Sequence, residues 1–221
     1  MNVVVISDTH SRERKIEWFK NKENINKVNT VIHCGDFSHS EKTFWSFLKW
    51  YSELEIDNKI LIAGNHDEYV RDIGYEKMKE ICSAYHVNYL QDSGIEIDGI
   101  KFWGSPMSNE YGSWAFMAND FELDQYWQKI PLDTNVLITH GPAYGVGDYV
   151  FQDNIQDNHV GSRTLEIRIR ELKNLKYHFV GHIHDSKNKI YQNEHFITYN
   201  ACIMDFFFKP TGQPHVFEIK K

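Results

Sequence analysis

Val3-Val4-Val5-Ile6-Ser7-Asp8-Thr9-His10 carries four β-branched apolar residues straight into an aspartate and a histidine. Four such side chains without polar alternation suit a strand covered on both faces. The pattern recurs twice. Thr30-Val31-Ile32-His33 leads into Gly35-Asp36, and Lys59-Ile60-Leu61-Ile62-Ala63 leads into Gly64-Asn65-His66-Asp67. Helical spacing fills the intervals: residues 16–22, then 41–54 with Phe44, Phe47, Leu48 and Tyr51 on one face, and 76–85 after the third strand. This βαβαβ rhythm predicts parallel pairing with right-handed crossovers.

Beyond Leu90 the texture changes. Ile95-Glu96-Ile97, Asp98-Gly99 and Ile100-Lys101-Phe102-Trp103 read as a hairpin whose Asp-Gly supplies a tight turn. Residues 105–133 read as loop, 135–138 as strand, 141–148 as a Gly-rich loop and 163–172 as helix. Strands are expected near 177–180, 187–191, 195–199 and 215–219. No linker, repeat or low-complexity tract divides residues 1–221, so the expectation is one α/β domain with two sheets and helices outside.

Composition narrows the function classes. With 31 acidic and 24 basic residues the net charge is -7, and no Lys/Arg block offers a surface for long nucleic acid. Metal ions can still supply the positive charge that binding a phosphate requires. The three cysteines, Cys34, Cys82 and Cys202, show no CxxC spacing, which points to a reducing, cytoplasmic compartment rather than a disulfide framework. No stretch approaches the roughly 20 apolar residues of a membrane span.

Five segments concentrate metal-capable side chains, each just past a predicted strand: Asp8-Thr9-His10, Gly35-Asp36, Gly64-Asn65-His66-Asp67, Thr139-His140-Gly141 and Gly181-His182-Ile183-His184. Ligand sites of open α/β sheets collect at such carboxyl ends. Each segment has a bland reading alone, as a turn, a helix cap or a loop. Together, with spacings of 28 and 29 residues between Asp8, Asp36 and Asn65, they form a mixed N/O donor set. Such a set suits manganese, iron, zinc or nickel better than magnesium or calcium.

The series resembles the calcineurin-like metallophosphoesterase superfamily, whose pattern runs DxH, GD, GNH followed by Asp or Glu, H, and GHxH. Phe102-Trp103-Gly104-Ser105-Pro106, Thr139-His140-Gly141-Pro142, His159-Val160-Gly161 and Tyr199-Asn200-Ala201 are similar to a small branch of single-domain phosphodiesterases. The resemblance implies a four-layer α/β/β/α sandwich with two packed mixed β-sheets. It also implies two divalent metal ions, one held by Asp8, His10 and His184, the other by Asn65, His140 and His182, with Asp36 bridging. Such ions share a water, lower its pKa toward about 7, and neutralise charge on a small phosphoester. His66 would be the general acid, facing the leaving oxygen. Asp67 would orient it, or would simply be a helix N-terminal acid.

The remaining candidates carry weaker readings. Cys34 reads as a small buried hydrophobe, and His33, His39, His86, His178, His195 and His215 as structural or surface residues. His159 could contact substrate or anchor its loop; Arg163 could touch phosphate or face solvent. Trp114 and Trp127 are candidates for a substrate wall. Two hydrolase rivals remain. A phosphomonoesterase or protein phosphatase of the superfamily would usually carry GDxxDRG, where this chain has Gly35-Asp36-Phe37-Ser38-His39-Ser40; a nuclease would bring a basic groove. A non-catalytic interaction scaffold would tend to have lost the donors.

Overall fold

The computed structural model describes residues 1–151, 158–205 and 207–220. The first half contains β1 (Asn2–Ile6), a single turn α1 (Lys22–Ile25), β2 (Thr30–Cys34), α2 (Glu41–Ser52), β3 (Asn58–Ile62), α3 (Glu68–Ile73), α4 (Tyr75–Ala84) and β4 (Asn88–Tyr89). The second contains β5 (Ser93–Ile97), β6 (Ile100–Ser105), the two-residue strands β7 (Ser108–Asn109) and β8 (Met117–Ala118), and α5 (Asp120–Trp127). It continues with β9 (Val136–Thr139), α6 (Arg163–Glu171), β10 (Tyr177–Val180), β11 (Ile190–Gln192), β12 (Ile197–Asn200) and β13 (His215–Glu218).

Strands β1, β2, β3 and β4 pair in parallel, and β13 returns antiparallel beside β1. The second sheet runs β11-β12-β10-β9-β6-β5, parallel in its centre and antiparallel at both edges. Both sheets are therefore mixed. Residue alternation makes the layers. Val3, Val5, Ile32, Cys34, Ile60 and Ile62 face Phe102, Val136, Ile138 and Phe179 between the sheets. Val4, Ile6, Val31 and Leu61 turn the other way, under Phe44, Phe47, Leu48 and Tyr51 of α2 and Met78 and Cys82 of α4. Leu137 packs outward on Leu123 and Trp127 of α5 and Leu165 and Ile169 of α6. The result is the α/β/β/α sandwich.

Helix α2 starts at a capping box in which Ser40 and Thr43 exchange side-chain and backbone hydrogen bonds. Tyr51 sits in the core because its hydroxyl donates to the Ile60 (2.7 Å) and Val31 (3.1 Å) carbonyls. At the β5–β6 turn, Asp98 (φ 53°) and Gly99 (φ 74°) take the positive φ expected of Asp-Gly.

Three expectations need correction. Residues 16–22 do not form one helix: 3-10 turns at Glu13–Lys15 and Glu17–Lys20 precede α1. The segment 105–133 is not all loop, since it holds α5, with Leu123 and Trp127 buried. The strand expected at 187–191 is shorter and later, Ile190–Gln192. Among the described residues, no helix is long and apolar enough to cross a membrane.

Candidate metal centre

All five metal-capable segments leave the carboxyl ends of central strands: β1, β2 and β3 of the first sheet, β9 and β10 of the second. The loops then bend sharply. Asp8 (φ 54°), His10 (φ 44°), Asp36 (φ 58°) and His182 (φ 67°) all adopt left-handed backbone. Each such residue costs of order 1 kcal/mol or more. The strands beneath can sustain that, because Val3, Val4, Val5 and Ile6 are wholly buried, at about 1.5–3 kcal/mol apiece. Close approach depends on missing side chains. A Cβ on Gly64 would lie 2.3 Å from Asp36 Oδ1, and one on Gly181 would lie 2.4 Å from Asp8 Oδ2.

Two donor clusters result. In the first, His184 Nε2 lies 3.3 Å from both Asp8 Oδ1 and His10 Nε2. In the second, Asn65 Oδ1 lies 2.9 Å from both His140 Nε2 and His182 Nδ1. Asp36 stands between them, its Oδ2 3.9 Å from His10 Nε2 and 3.4 Å from His140 Nε2. Asp8, His10 and His184, and likewise Asp8, Asp36 and His140, each bring their donor atoms within 4.8 Å of one another. The GHxH segment serves both clusters because left-handed His182 and the 3-10 turn from His184 break the extended alternation.

The donors fit a cation pair. His10 and His184 turn nitrogen atoms toward each other at 3.3 Å, an arrangement that one proton or one cation can satisfy but two protons cannot. Burial would raise the Asp8 and Asp36 pKa values, but surrounding imidazoles hold both carboxyls below their ordinary range. Burial pulls His10 down to about 4 and His182 to about 3. His140 and His184 go the other way: burial opposes their charge, yet Asp36 and Asp8 raise His140 to about 9, and the Asp8 carboxylate beside His184 raises that imidazole as well. Two buried carboxylates demand positive charge at their centre, and the donors around them are soft enough nitrogen and hard enough oxygen for a first-row divalent ion.

Surrounding groups hold the donors in place. Asp8 accepts from the His182 N–H at 3.0 Å and the Cys202 thiol at 3.1 Å. His140 donates Nδ1–H to the Cys34 carbonyl at 2.8 Å, and His184 donates to the Asp205 carbonyl at 3.2 Å. Such partners fix the tautomer that leaves Nε2 for a metal. Buried His33, at the end of β2, accepts from Gly35 N–H at Nδ1 (3.2 Å) and therefore donates Nε2–H to Thr9 (3.0 Å).

His66 is half-buried at the mouth, its N–H on Asp36 Oδ1 (2.8 Å) and its ring 4.4 Å from Trp114. Ala115 N–H donates to the Asn65 carbonyl (3.1 Å), which seats Trp114 there. Asp67 does not turn to the His66 ring, nor does it cap α3 through its side chain. Its carboxylate accepts from the amides of Asp36, Phe37, Ser38 and Gly64 and from the Ser38 hydroxyl. It stitches the second loop to the third, whereas sequence adjacency had suggested His66.

Trp127 is no substrate wall: it is buried in the α5–α6 core with its indole N–H on Ser162 (3.0 Å). His159 bonds Asp148 (2.7 Å), the loop-anchoring alternative, and the Arg163 guanidinium lies over the Tyr144 ring at 3.6 Å. Exposed His39 bonds His10 Nδ1 at 3.1 Å, and Tyr111 and Phe208 place rings beside His182 and His10. None of these three lies in a motif, so no spacing signalled them.

A family model described as calcineurin-like phosphoesterase matches residues 1–186. The chain belongs to that family. Metallophosphoesterase domain-containing protein 1 of Homo sapiens is 27% identical over 242 residues, covering 98% of this chain and 70% of that protein. A UPF0046 protein of Caenorhabditis elegans is 29% identical over 200 residues, covering 84% of this chain and 64% of its own length. Among solved structures, a phosphopantetheinyl hydrolase from Mycobacterium tuberculosis superposes with TM-score 0.59 at 14% identity, covering 98% of this chain and 95% of the other. A dimetal phosphatase from Danio rerio gives 0.54 at 10% identity, covering 90% and 86%. Those two likenesses speak to the fold.

Proposed function

We infer that this phosphoesterase hydrolyses small phosphate esters at a centre of two divalent cations, with a diester as the favoured substrate. The observation that carries the reading is Asp36, whose single Oδ2 faces both donor clusters. Asp8, His10 and His184 would hold one cation and Asn65, His140 and His182 the other, with Asp36 common to both. When bound, the cation pair supplies an activated water and neutralises charge on the phosphoryl oxygens. The residues of the chain do the rest. Asn65 contributes a neutral oxygen, which leaves the centre positive enough to attract an anion. His66, at the mouth, would hand a proton to the departing oxygen. Asp67 acts at one remove, by fixing Asp36.

The rim favours an ester with an organic arm over free phosphate. Tyr111 and Trp114 are exposed rings lying tilted, at 51°, against the His182 and His66 imidazoles, with Phe208 beside them. Planar or apolar substituents bind well on such surfaces. The net charge of -7 speaks against long nucleic acid, and the three free, buried cysteines suit a cytoplasmic setting.

The test is a turnover screen of aryl, alkyl and nucleoside phosphoesters on chelator-stripped chain reconstituted with manganese, nickel, zinc or iron. Activity that vanishes on chelation and returns with metal, larger on diesters than on matched monoesters, is expected. Full turnover by chain shown by elemental analysis to be metal-free would overturn the reading; a monoester preference would recast it as a phosphatase.

A further inference from the structure

We propose that His39 is a positioning residue for the first donor cluster: its Nε2 accepts the Nδ1–H of His10 and so commits the other nitrogen of His10 to a cation. The proposal rests on the cation-pair reading above. It begins from a difference among the imidazoles. His140 and His184 each donate Nδ1–H to a backbone carbonyl, a group that can only accept. His10 has no carbonyl in that place. Its Nδ1 meets the Nε2 of another histidine at 3.1 Å.

The opposite edge of His10 decides which way the proton lies. His10 Nε2 faces His184 Nε2 at 3.3 Å, Asp36 Oδ2 at 3.9 Å and Asp8 Oδ1 at 4.0 Å, the convergent side of the cluster. A lone pair directed there requires the proton on Nδ1. His39 Nε2 must then offer its own lone pair, which places the His39 proton on Nδ1. The two rings lie nearly parallel, 11° apart with centroids at 5.0 Å.

The fold sets His39 in position independently of the site. Its N–H donates to Thr43 Oγ1 at 3.0 Å, one residue ahead of the capping box that starts α2. The ring also meets His66 edge-on at 5.4 Å, so one exposed side chain touches both a proposed ligand and the proposed acid. Because His39 is exposed, replacing it leaves the core intact.

Removing the partner of a ligand imidazole typically weakens metal binding about 10–100-fold. The loss should stay in the first cluster, since His140 leans on Cys34 instead. The experiment is a calorimetric titration of manganese into the metal-stripped full chain. Wild type should show two sites. His39→Ala should weaken one class roughly 10–100-fold and spare the other. His39→Gln should restore it, because Oε1 can take the place of Nε2 as acceptor. Thermal unfolding in chelator should be the same for all three. The assignment of His39 is overturned by His39→Ala titrating like wild type, by both classes weakening equally, or by His39→Gln remaining as weak as His39→Ala. Wild type that binds no manganese, zinc or nickel would remove the cation-pair reading itself, and this proposal with it.

Discussion

The two sheets bring unlike chemistry to one centre. The first contributes Asp8, His10, Asp36 and Asn65, three of them oxygen donors; the second contributes only imidazoles, His140, His182 and His184. Their supports differ accordingly. On the first sheet two buried carboxylates must stand close together despite their repulsion, and the loops are left-handed at Asp8, His10 and Asp36. Asp67 and His33 tie those loops to one another. On the second sheet the donors are imidazoles without negative charge to hold apart, and carbonyl acceptors suffice for His140 and His184. Carboxylates that repel one another need stitching; imidazoles need only orientation.

Each cluster draws on both sheets, so a bound cation would clip the sheets together, and removing the shared carboxylate is the harshest test. Asp36→Ala should lose metal at both positions and bring turnover to background, with added manganese no longer raising the unfolding temperature. Elemental analysis beside activity decides it: a variant with two metals per chain and near-normal turnover would break the division of labour proposed here.

His66→Ala comes next. It should keep both metals and lose roughly 10²–10⁴-fold in rate, the range for a general acid. The loss should be much larger on alkyl or nucleoside esters than on nitrophenyl esters, whose leaving group needs little help. Equal losses would make His66 a phosphate-positioning group, and metal loss would make it a ligand.

Much of this was legible in the sequence because buried parallel strands announce themselves. Val3 to Ile6, Val31-Ile32 and Ile60 to Ile62 are apolar runs, and the chemistry follows each within a few residues. Helix α5 was not legible: it buries only Leu123 and Trp127 while Phe121 is 87% exposed, too faint a stripe to read. Asp67 misled because adjacency suggested His66, while the side chain reaches residues 36–38, about thirty positions away. His39 reads as a surface residue in the sequence, and it is exposed; its bond to His10 exists only once β1 and β2 lie side by side.

The stitching can be compared directly in metal-stripped chain. Asp67→Asn keeps one acceptor oxygen and turns an amide group toward N–H donors, leaving about two of them unpaired, so about 3 kcal/mol of stability should be lost. On the second sheet, Thr139→Val removes the hydroxyl that donates to the Gly141 carbonyl at 2.6 Å and meets His178, and should cost about 2 kcal/mol, less than Asp67→Asn because an under-satisfied carbonyl is a milder loss than an N–H. Urea unfolding of both variants measures the difference. Equal losses would mean the first sheet needs no special support.

The smallest effect concerns the buried imidazole behind the second sheet. His178 lies in β10, bonded to Thr139 Oγ1 (2.9 Å) and Thr198 Oγ1 (3.4 Å), and burial lowers its pKa from 6.5 to about 3. In the unfolded chain it titrates near its ordinary value, so between pH 6.5 and 3 the unfolded state takes up a proton that the folded state refuses. Its contribution is complete above pH 6.5 and is lost as pH falls toward 3, by about 2 kcal/mol at pH 5. His178→Gln keeps hydrogen-bonding capacity without the titration. The stability gap between wild type and variant should therefore narrow, or reverse in the variant's favour, by about 2 kcal/mol between pH 7.5 and pH 5. Urea unfolding at the two pH values, in chelator so that the metal donors are treated alike, isolates this proton from those of His33 and the site, which both chains share. Parallel curves would show that His178 takes up its proton as readily in the folded chain as in the unfolded one, so that at pH 5 the second sheet carries charge beneath its loops.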